Sequence, residues 1–390
     1  MGIMGGNNIN KEKNKQQRKA LNAWARNNYV GSIIAGTGFG KSRCGVLACK
    51  HVLDRIADSK AAILVPTIQL QEQFAEEFHK WDCASYLDRV EIICYQSAYK
   101  LQNEKYALVV CDEVHLGLSR EYIKFFKNNH YTSILAMTAT WPEDVYHKIE
   151  LLKIAPKVYE ITLDQCVAMN LVSPYEIYCI PLELTFGEKL EYDDIQREFV
   201  EHKVALGPDA FSLAKVFIKS PQASSEEKYH AAGFYKTIRE RKAIVDQAYA
   251  KIEKFKEIVN ENLDNKIITF GGLNAFTSKL AESVEPLAEV YHSKRTLKQR
   301  REALRRFKEG EVNVLCSTKA LNQGFDIPSA NVGIICGLTS KALSMIQRIG
   351  RLIRFEENKI GKIYILYVKD SQEEKWLRNS VRDLKGVKWL

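Results

Sequence analysis

The strongest chemical signal is the run Ile33-Ile34-Ala35-Gly36-Thr37-Gly38-Phe39-Gly40-Lys41-Ser42. An apolar stretch meets a glycine-rich turn. A lysine, a serine and a helical pattern follow. This order suits a polyphosphate. Gly38 and Gly40 allow the tight backbone that aims successive N–H groups at phosphate oxygens. The helix beyond adds the positive end of its dipole. Lys41 is a point charge for the β- and γ-oxygens, and the Ser42 hydroxyl is a ligand for Mg²⁺. Gly36, Thr37 and Phe39 complete the loop. The spacing is that of a P-loop with Ala35 in the first glycine position.

A second group lies downstream. The apolar run Tyr106–Cys111 ends in Asp112-Glu113-Val114-His115. Asp112, at the carboxyl end of a buried strand, would hold Mg²⁺ through water. Glu113 would orient or deprotonate an attacking water.

These groups need elements to hold them. Short apolar runs recur at 32–35, 61–65, 90–94, 107–111 and 133–137. They recur again at 177–180, 266–270, 287–291, 312–316, 332–337 and 362–368. Each is followed by a turn and a helical pattern. Continuous apolar strands alternating with helices predict parallel sheets covered on both faces. The alternation occurs twice. Between the halves, about 184–261, the chain is charged and helical in period. Ile238, Val245, Ala248, Ile252, Phe255 and Val259 make one apolar stripe there, and Pro221 with Ser224-Ser225 marks a loop. The expected layout is α/β, with one domain over 1–165 and a second over 166–390 that carries the helical insertion.

Length and composition agree. The chain has 390 residues and 44.6 kDa, enough for two or three domains. It is 46% hydrophobic and 27% charged, which excludes disorder and collagen-like repeats. No apolar run approaches the roughly 20 residues of a membrane span, so no membrane partner is expected. The nine cysteines are odd in number and form no CxxC. They read as reduced core residues in a cytosol-like compartment. The N-terminus lacks the apolar stretch of a signal peptide, and a cytoplasmic location is expected (the host cytoplasm for a viral protein). The net charge of +9 is compatible with a polyanionic partner.

Together these residues resemble a superfamily-2 helicase or translocase of the DExH type. The phosphate loop has that group's AxxGxGK[ST] form, and Asp112–His115 reads as a DExH box. Further segments stand in the same order. Val65–Leu70 resembles motif Ia, and Tyr95-Gln96-Ser97 resembles a segment that touches the nucleic-acid backbone. Thr138-Ala139-Thr140 resembles the coupling motif III. Ile268–Gly271 resembles motif IV. Ser317-Thr318 and Gly324–Pro328 resemble motif V, and Gln347–Arg354 resembles motif VI. Gln17, with Ala20, Leu21 and Trp24, resembles the adenine-reading glutamine and its helix. The likeness spans about 13–370. Cys94 and Gln323 depart from it, standing where relatives often carry Thr and an acidic residue.

The resemblance implies two RecA-like domains in tandem, an ATP substrate and a Mg²⁺ cofactor. It implies that Gln17, Gly324 and Asp326 join the loop in nucleotide binding. Arg351 and Arg354 lie one helical turn apart, and Gln347 precedes Arg351 by four positions. They are expected to act on the γ-phosphate as arginine fingers with their glutamine. His115, Thr138 and Thr140 would couple hydrolysis to strand binding. Thr67, Gln69, Gln96, Ser97, Gly271, Gly272 and Thr318 would contact a sugar-phosphate backbone. The likeness extends to phage recombination and repair helicases, excision-repair helicases and the helicase-like subunit of type III restriction enzymes. It favours DNA, single-stranded or branched, in repair, recombination or replication, and a monomeric motor.

Four other readings stay open: a duplex or branched-DNA translocase without processive unwinding, an RNA helicase, a hydrolysis-dead binding module and a small-molecule P-loop kinase. The retained Lys41, Asp112, Glu113, Arg351 and Arg354 weigh against the third. The duplicated lobes weigh against the fourth.

Overall fold

The computed structural model describes residues 5–36, 38–142, 144–318, 330–339, 360–382 and 384–390. The described chain divides into two compact units, the first running through Tyr175 and the second starting at Glu176. That division falls ten residues beyond the 165/166 boundary expected from the sequence.

Six strands build the first unit: β1 (Val30–Ala35), β2 (Ala61–Val65), β3 (Val90–Cys94), β4 (Lys105–Cys111), β5 (His130–Thr138) and β6 (Lys157–Ile161). Their order in the sheet is β3-β2-β4-β5-β1-β6, with every pairing parallel. The helices are α1 (Gly5–Arg26), α2 (Lys41–Leu53), α3 (Ile68–Lys80), α4 (Tyr95–Ala98), α5 (Lys124–Asn128), α6 (Val145–Ile154) and α7 (Leu163–Ala168). The register places Cys111 beside Ala136 and Ile34 beside Thr138. The carboxyl ends of β4, β5 and β1 therefore lie side by side at one edge of the sheet, where α/β folds bind ligands.

Close packing fixes α2 on this sheet. A Cβ on Gly45 would fall 3.1 Å from Val110 Cγ1 and 3.3 Å from Met137 Cε. The missing side chain lets the helix that follows the phosphate loop lie directly on β4 and β5.

The second unit contains β7 (Tyr175–Leu182), β8 (Ile267–Phe270), β9 (Ala288–Tyr291), β10 (Val314–Ser317), β11 (Val332–Ile335), β12 (Gly361–Val368) and β13 (Val387–Trp389). Their order is β13-β7-β12-β11-β8-β10-β9. β8, β9, β10, β11 and β12 pair in parallel, as do β7 and β13.

The insertion is helical throughout its length: α8 (Phe186–Leu206), α9 (Ala210–Lys219), α10 (Ser225–Asp246) and α11 (Tyr249–Asn260). Capping boxes at Thr185/Glu188 and Ser224/Glu227 start α8 and α10. The expected single stripe is split. Gln247 and Ala248 interrupt the helix, and the stripe serves three cores. Ile238 packs with Leu206, Ala214 and Phe234 inside the insertion. Val245 and Ala248 pack with Tyr192 and Val368. Ile252, Phe255 and Val259 join the main core of the sheet. Two further helices follow the insertion, α12 (Asn274–Glu282) and α13 (Leu297–Glu309), and helix Gln372–Val381 lies near the C-terminus.

Candidate functional site

The phosphate loop leaves β1 at Gly36 and enters α2 at Lys41. Gly38 and Gly40 have φ of +91° and +87°, a left-handed geometry that side chains oppose. Neither position has room for a Cβ. At Gly38 it would sit 2.6 Å from Val172 Cγ1, and at Gly40 it would sit 2.4 Å from Gln17 Nε2. The Phe39 ring is buried beside Tyr159 at 5.9 Å and anchors the loop from below. Ser42 is half-buried in the first turn of α2.

Lys41 and the carboxylate motif meet across this loop. The Lys41 ammonium donates to the Ala35 carbonyl at 3.0 Å and stands 3.9 Å from Glu113 Oε1. Asp112 is buried at the end of β4, its backbone N–H bonded to the Leu64 carbonyl at 2.9 Å. Glu113 adopts φ +46°, a conformation costly for a side-chain-bearing residue and found where a fold re-aims a functional group. His115 Nδ1 lies 3.1 Å from Thr138 Oγ1 and 3.5 Å from Glu113 Oε2. The Thr138 hydroxyl donates to the Thr140 carbonyl at 3.2 Å. Its hydrogen being spent there, it accepts from His115, which assigns the proton to Nδ1.

Gln17 is buried against the loop. Its amide nitrogen donates to the Phe39 carbonyl at 2.8 Å and the Gly40 carbonyl at 3.4 Å. Its amide oxygen accepts from Arg43 at 2.7 Å. Gln17, the expected adenine reader, therefore also clasps the phosphate loop. Arg43 also donates to Asn14 and stacks on Trp81 at 4.1 Å. Lys13 packs beside Gly40, and burial pushes its ammonium pKa down.

Asn14, Arg43 and Trp81 were not singled out in the sequence. A signal existed for Arg43: a cation in the first turn of a helix opposes the dipole and needs another partner.

The expected backbone contacts in the first unit cluster beyond β2 and β3. Thr67 caps α3, accepting from the Leu70 N–H at 3.4 Å. Gln69 is half-buried, and Gln96 and Ser97 are exposed on α4. Gln96 Nε2 donates to the Pro66 carbonyl at 3.1 Å, tying the two segments together.

In the second unit, Gly271 donates to the Ser317 carbonyl at 2.8 Å, and Gly272 has φ +82°. Gly271 and Thr318 are buried, and a Cβ on Gly272 would meet Gly337 Cα at 3.0 Å. The two glycines have only backbone to present. Thr37, Gly324, Asp326, Gln347, Arg351 and Arg354 lie outside the described residues.

All nine cysteines are buried and unbridged. Burial raises the thiol pKa of Cys166 to about 11 and of Cys44 and Cys336 to about 12. They are core residues, inert as nucleophiles. Among the described residues, no group of three His, Cys, Asp or Glu side chains is placed to hold a metal ion, and no helix is long and apolar enough to cross a membrane.

Comparison with known proteins extends this picture. Residues 10–143 match the family model "Type III restriction enzyme, res subunit". Residues 250–356 match "Helicase conserved C-terminal domain". The chain is 26% identical over 366 residues to the "DNA 3'-5' translocase XPB2" of Sulfurisphaera tokodaii, spanning 90% of this chain and 80% of that protein. It is 24% identical to "Putative helicase 22" of Sulfolobus islandicus filamentous virus, over 92% of this chain and 64% of the viral protein. The fold resembles the Hef helicase domain of Pyrococcus furiosus, with a TM-score of 0.57 at 16% identity, over 95% of this chain and 99% of that one. The two sheets are thus tandem RecA-like domains.

Proposed function

We propose that this chain, a superfamily-2 helicase that couples ATP to work on nucleic acid, moves along single-stranded or branched DNA as a monomer. The observation that carries the reading is the meeting of Lys41, Glu113, His115 and Thr138, supplied by β1, β4 and β5 at one sheet edge. The likeness to a protein named as a DNA translocase, over most of both chains, supports DNA as the track.

Hydrolysis is mainly positioning and charge stabilisation. The left-handed glycines turn loop N–H groups toward the phosphates, and Lys41 adds its charge. The Ser42 hydroxyl and the Asp112 carboxylate fit a hard cation that prefers oxygen ligands and keeps several waters. Mg²⁺ held there would neutralise charge on the β- and γ-oxygens. Glu113, aimed by its left-handed backbone, orients the attacking water. Gln347, Arg351 and Arg354 are assigned from sequence to the γ-phosphate, with Gly324 and Asp326 beside the nucleotide. His115, Thr138 and Thr140 pass the state of the site to strand-binding segments. Thr67, Gln69, Gln96 and Ser97 in the first unit, and Gly271, Gly272 and Thr318 in the second, are assigned to the sugar-phosphate backbone. The charged, helical insertion is assigned to fork engagement.

The test is ATP turnover titrated with single-stranded, duplex and forked DNA and with RNA, in the presence and absence of Mg²⁺, with Lys41→Ala as control. DNA should stimulate turnover, most strongly when single-stranded or forked. Absence of stimulation by any polynucleotide removes the motor reading, and stimulation by RNA alone removes the DNA assignment. Strand displacement on the best substrate separates unwinding from translocation. Light scattering of the DNA-bound chain tests the monomer.

A further inference from the structure

One buried side chain lies between the strand-binding segment and the carboxylates, and the function above does not use it. Tyr95 opens α4 directly after β3, one residue before Gln96. Its ring is 1% exposed, and its hydroxyl donates to the Asp112 carbonyl at 2.9 Å. The bond joins the backbone of Asp112 to the segment two strands away.

The contact is built from several sides. A Cβ on Gly117 would fall 2.4 Å from Tyr95 Cε1, so the turn after the DEVH box lies flat on the ring. Tyr122 stacks on the Tyr95 ring with centroids 6.3 Å apart, and Tyr99 meets Tyr122 at 5.7 Å. Burial raises the Tyr95 phenol pKa well above its ordinary value, keeping the donor protonated. On the outer side, Gln96 is bonded to the Pro66 carbonyl and Ser97 is exposed. A single helical turn thus carries two exposed polar groups outward and one buried hydroxyl inward.

We propose that Tyr95 is a positioning residue that transmits strand binding at Gln96 and Ser97 to Asp112 and Glu113 through its hydrogen bond to the Asp112 carbonyl. The proposal rests on the reading that Gln96 and Ser97 touch the nucleic-acid backbone. A phosphate held by those two residues restrains α4. Tyr95, in the same turn, then fixes the height of the Asp112 peptide. Glu113 follows directly in the chain, so its carboxylate is held at the attacking position only while that peptide is held.

The test uses the full chain. Tyr95→Phe keeps the ring on Gly117 and Tyr122 and removes only the donor. Steady-state ATP turnover is measured without DNA and at saturating single-stranded DNA, and DNA affinity is measured by fluorescence anisotropy. The ratio of stimulated to unstimulated turnover should fall roughly tenfold, the scale of one hydrogen bond to a buried carbonyl. The fall should appear in kcat rather than in KM for ATP, with DNA affinity retained. Gly117→Ala, which displaces the ring without touching the hydroxyl, should lower the same ratio. A wild-type ratio in Tyr95→Phe overturns the relay, as does a loss of DNA affinity with the ratio kept at saturation. The paired variant Gln96→Ala/Ser97→Ala separates the two ideas. Lost affinity there, beside a wild-type ratio in Tyr95→Phe, removes the relay alone. Unchanged affinity there removes the strand-contact reading and the relay with it.

Discussion

The imidazole of His115 and the hydroxyl of Thr138 meet at 3.1 Å, joining the carboxylate motif after β4 to the end of β5. Because Thr138 donates to the Thr140 carbonyl, the histidine supplies the proton of this bond. The same Nδ1–H faces Glu113 at 3.5 Å. A shift of Glu113 during hydrolysis therefore changes what His115 offers Thr138. Thr138→Val keeps the shape of the side chain and removes the acceptor. Strand displacement per ATP hydrolysed should fall about fivefold, with turnover itself falling less. His115→Ala/Thr138→Val should be no worse than either single change. Additive losses in that cycle would show that the two residues act separately.

Gln17 gives a second test, because its two amide hydrogens already serve loop carbonyls. A glutamine so engaged has no donor left for the base. Gln17→Ala should raise KM by about tenfold for ATP and GTP alike, since the loop and not the base is loosened. A rise confined to ATP would instead support the adenine-reading role. Arg43→Ala should reproduce a weaker form of the same loss.

Much of this architecture was legible in the sequence, and the exceptions share a cause. β2 and β4 lie on the apolar runs at 61–65 and 107–111, and their residues there are all buried. Strands buried on both faces leave continuous apolar runs. β6 and β13 left none, because edge strands bury little: in β6 only Ile161 is fully buried, and in β13 no residue is. The residues from Ile238 to Val259 read as one apolar stripe because periodicity survives a break such as Gln247–Ala248. The loop, the DEVH box and their spacing showed Lys41, Asp112 and Glu113 directly. The clasp by Gln17 and the Tyr95 bond depend on partners 17 or more residues away. No local pattern encodes such contacts.

The second unit holds a fully buried ion pair. Lys251 donates to both Glu373 oxygens and to the Cys336 carbonyl, each at 2.8 Å. Glu373 also accepts from the Val368 N–H at 3.0 Å. Lys251→Met leaves the carboxylate buried without its cation, which should cost about 3–5 kcal/mol of stability. Desolvation already pushes the Glu373 pKa upward. Without Lys251 the group folds as the neutral acid, so the loss should grow as pH rises above the ordinary carboxylate range and shrink in acid. Denaturant unfolding of Lys251→Met at pH 5 and pH 8 checks the sign. Equal losses at both values would mean that Glu373 stays charged.

Gly233 tests the insertion. In most helix interiors Gly→Ala stabilises by up to about 1 kcal/mol. Here a Cβ would fall 2.1 Å from His202 Nε2 and 2.4 Å from its Cε1. The ring has no easy retreat, because its Nδ1 faces His230 Nδ1 at 3.1 Å and its edge meets Tyr229. Overpacking of about 1–3 kcal/mol should therefore outweigh the helix gain and loosen α8 from α10. The insertion has its own core around Leu206, Ala214, Ala231 and Phe234, so the damage should stay local. Gly233→Ala should lower forked-DNA unwinding several-fold while ATP turnover without DNA stays within about twofold. His202→Ala/Gly233→Ala, which removes the obstructing ring, should recover part of the unwinding. If unwinding per ATP is unchanged in Gly233→Ala although thermal melting confirms the loosened helices, the insertion is a brace on the second unit and takes no part in engaging the fork.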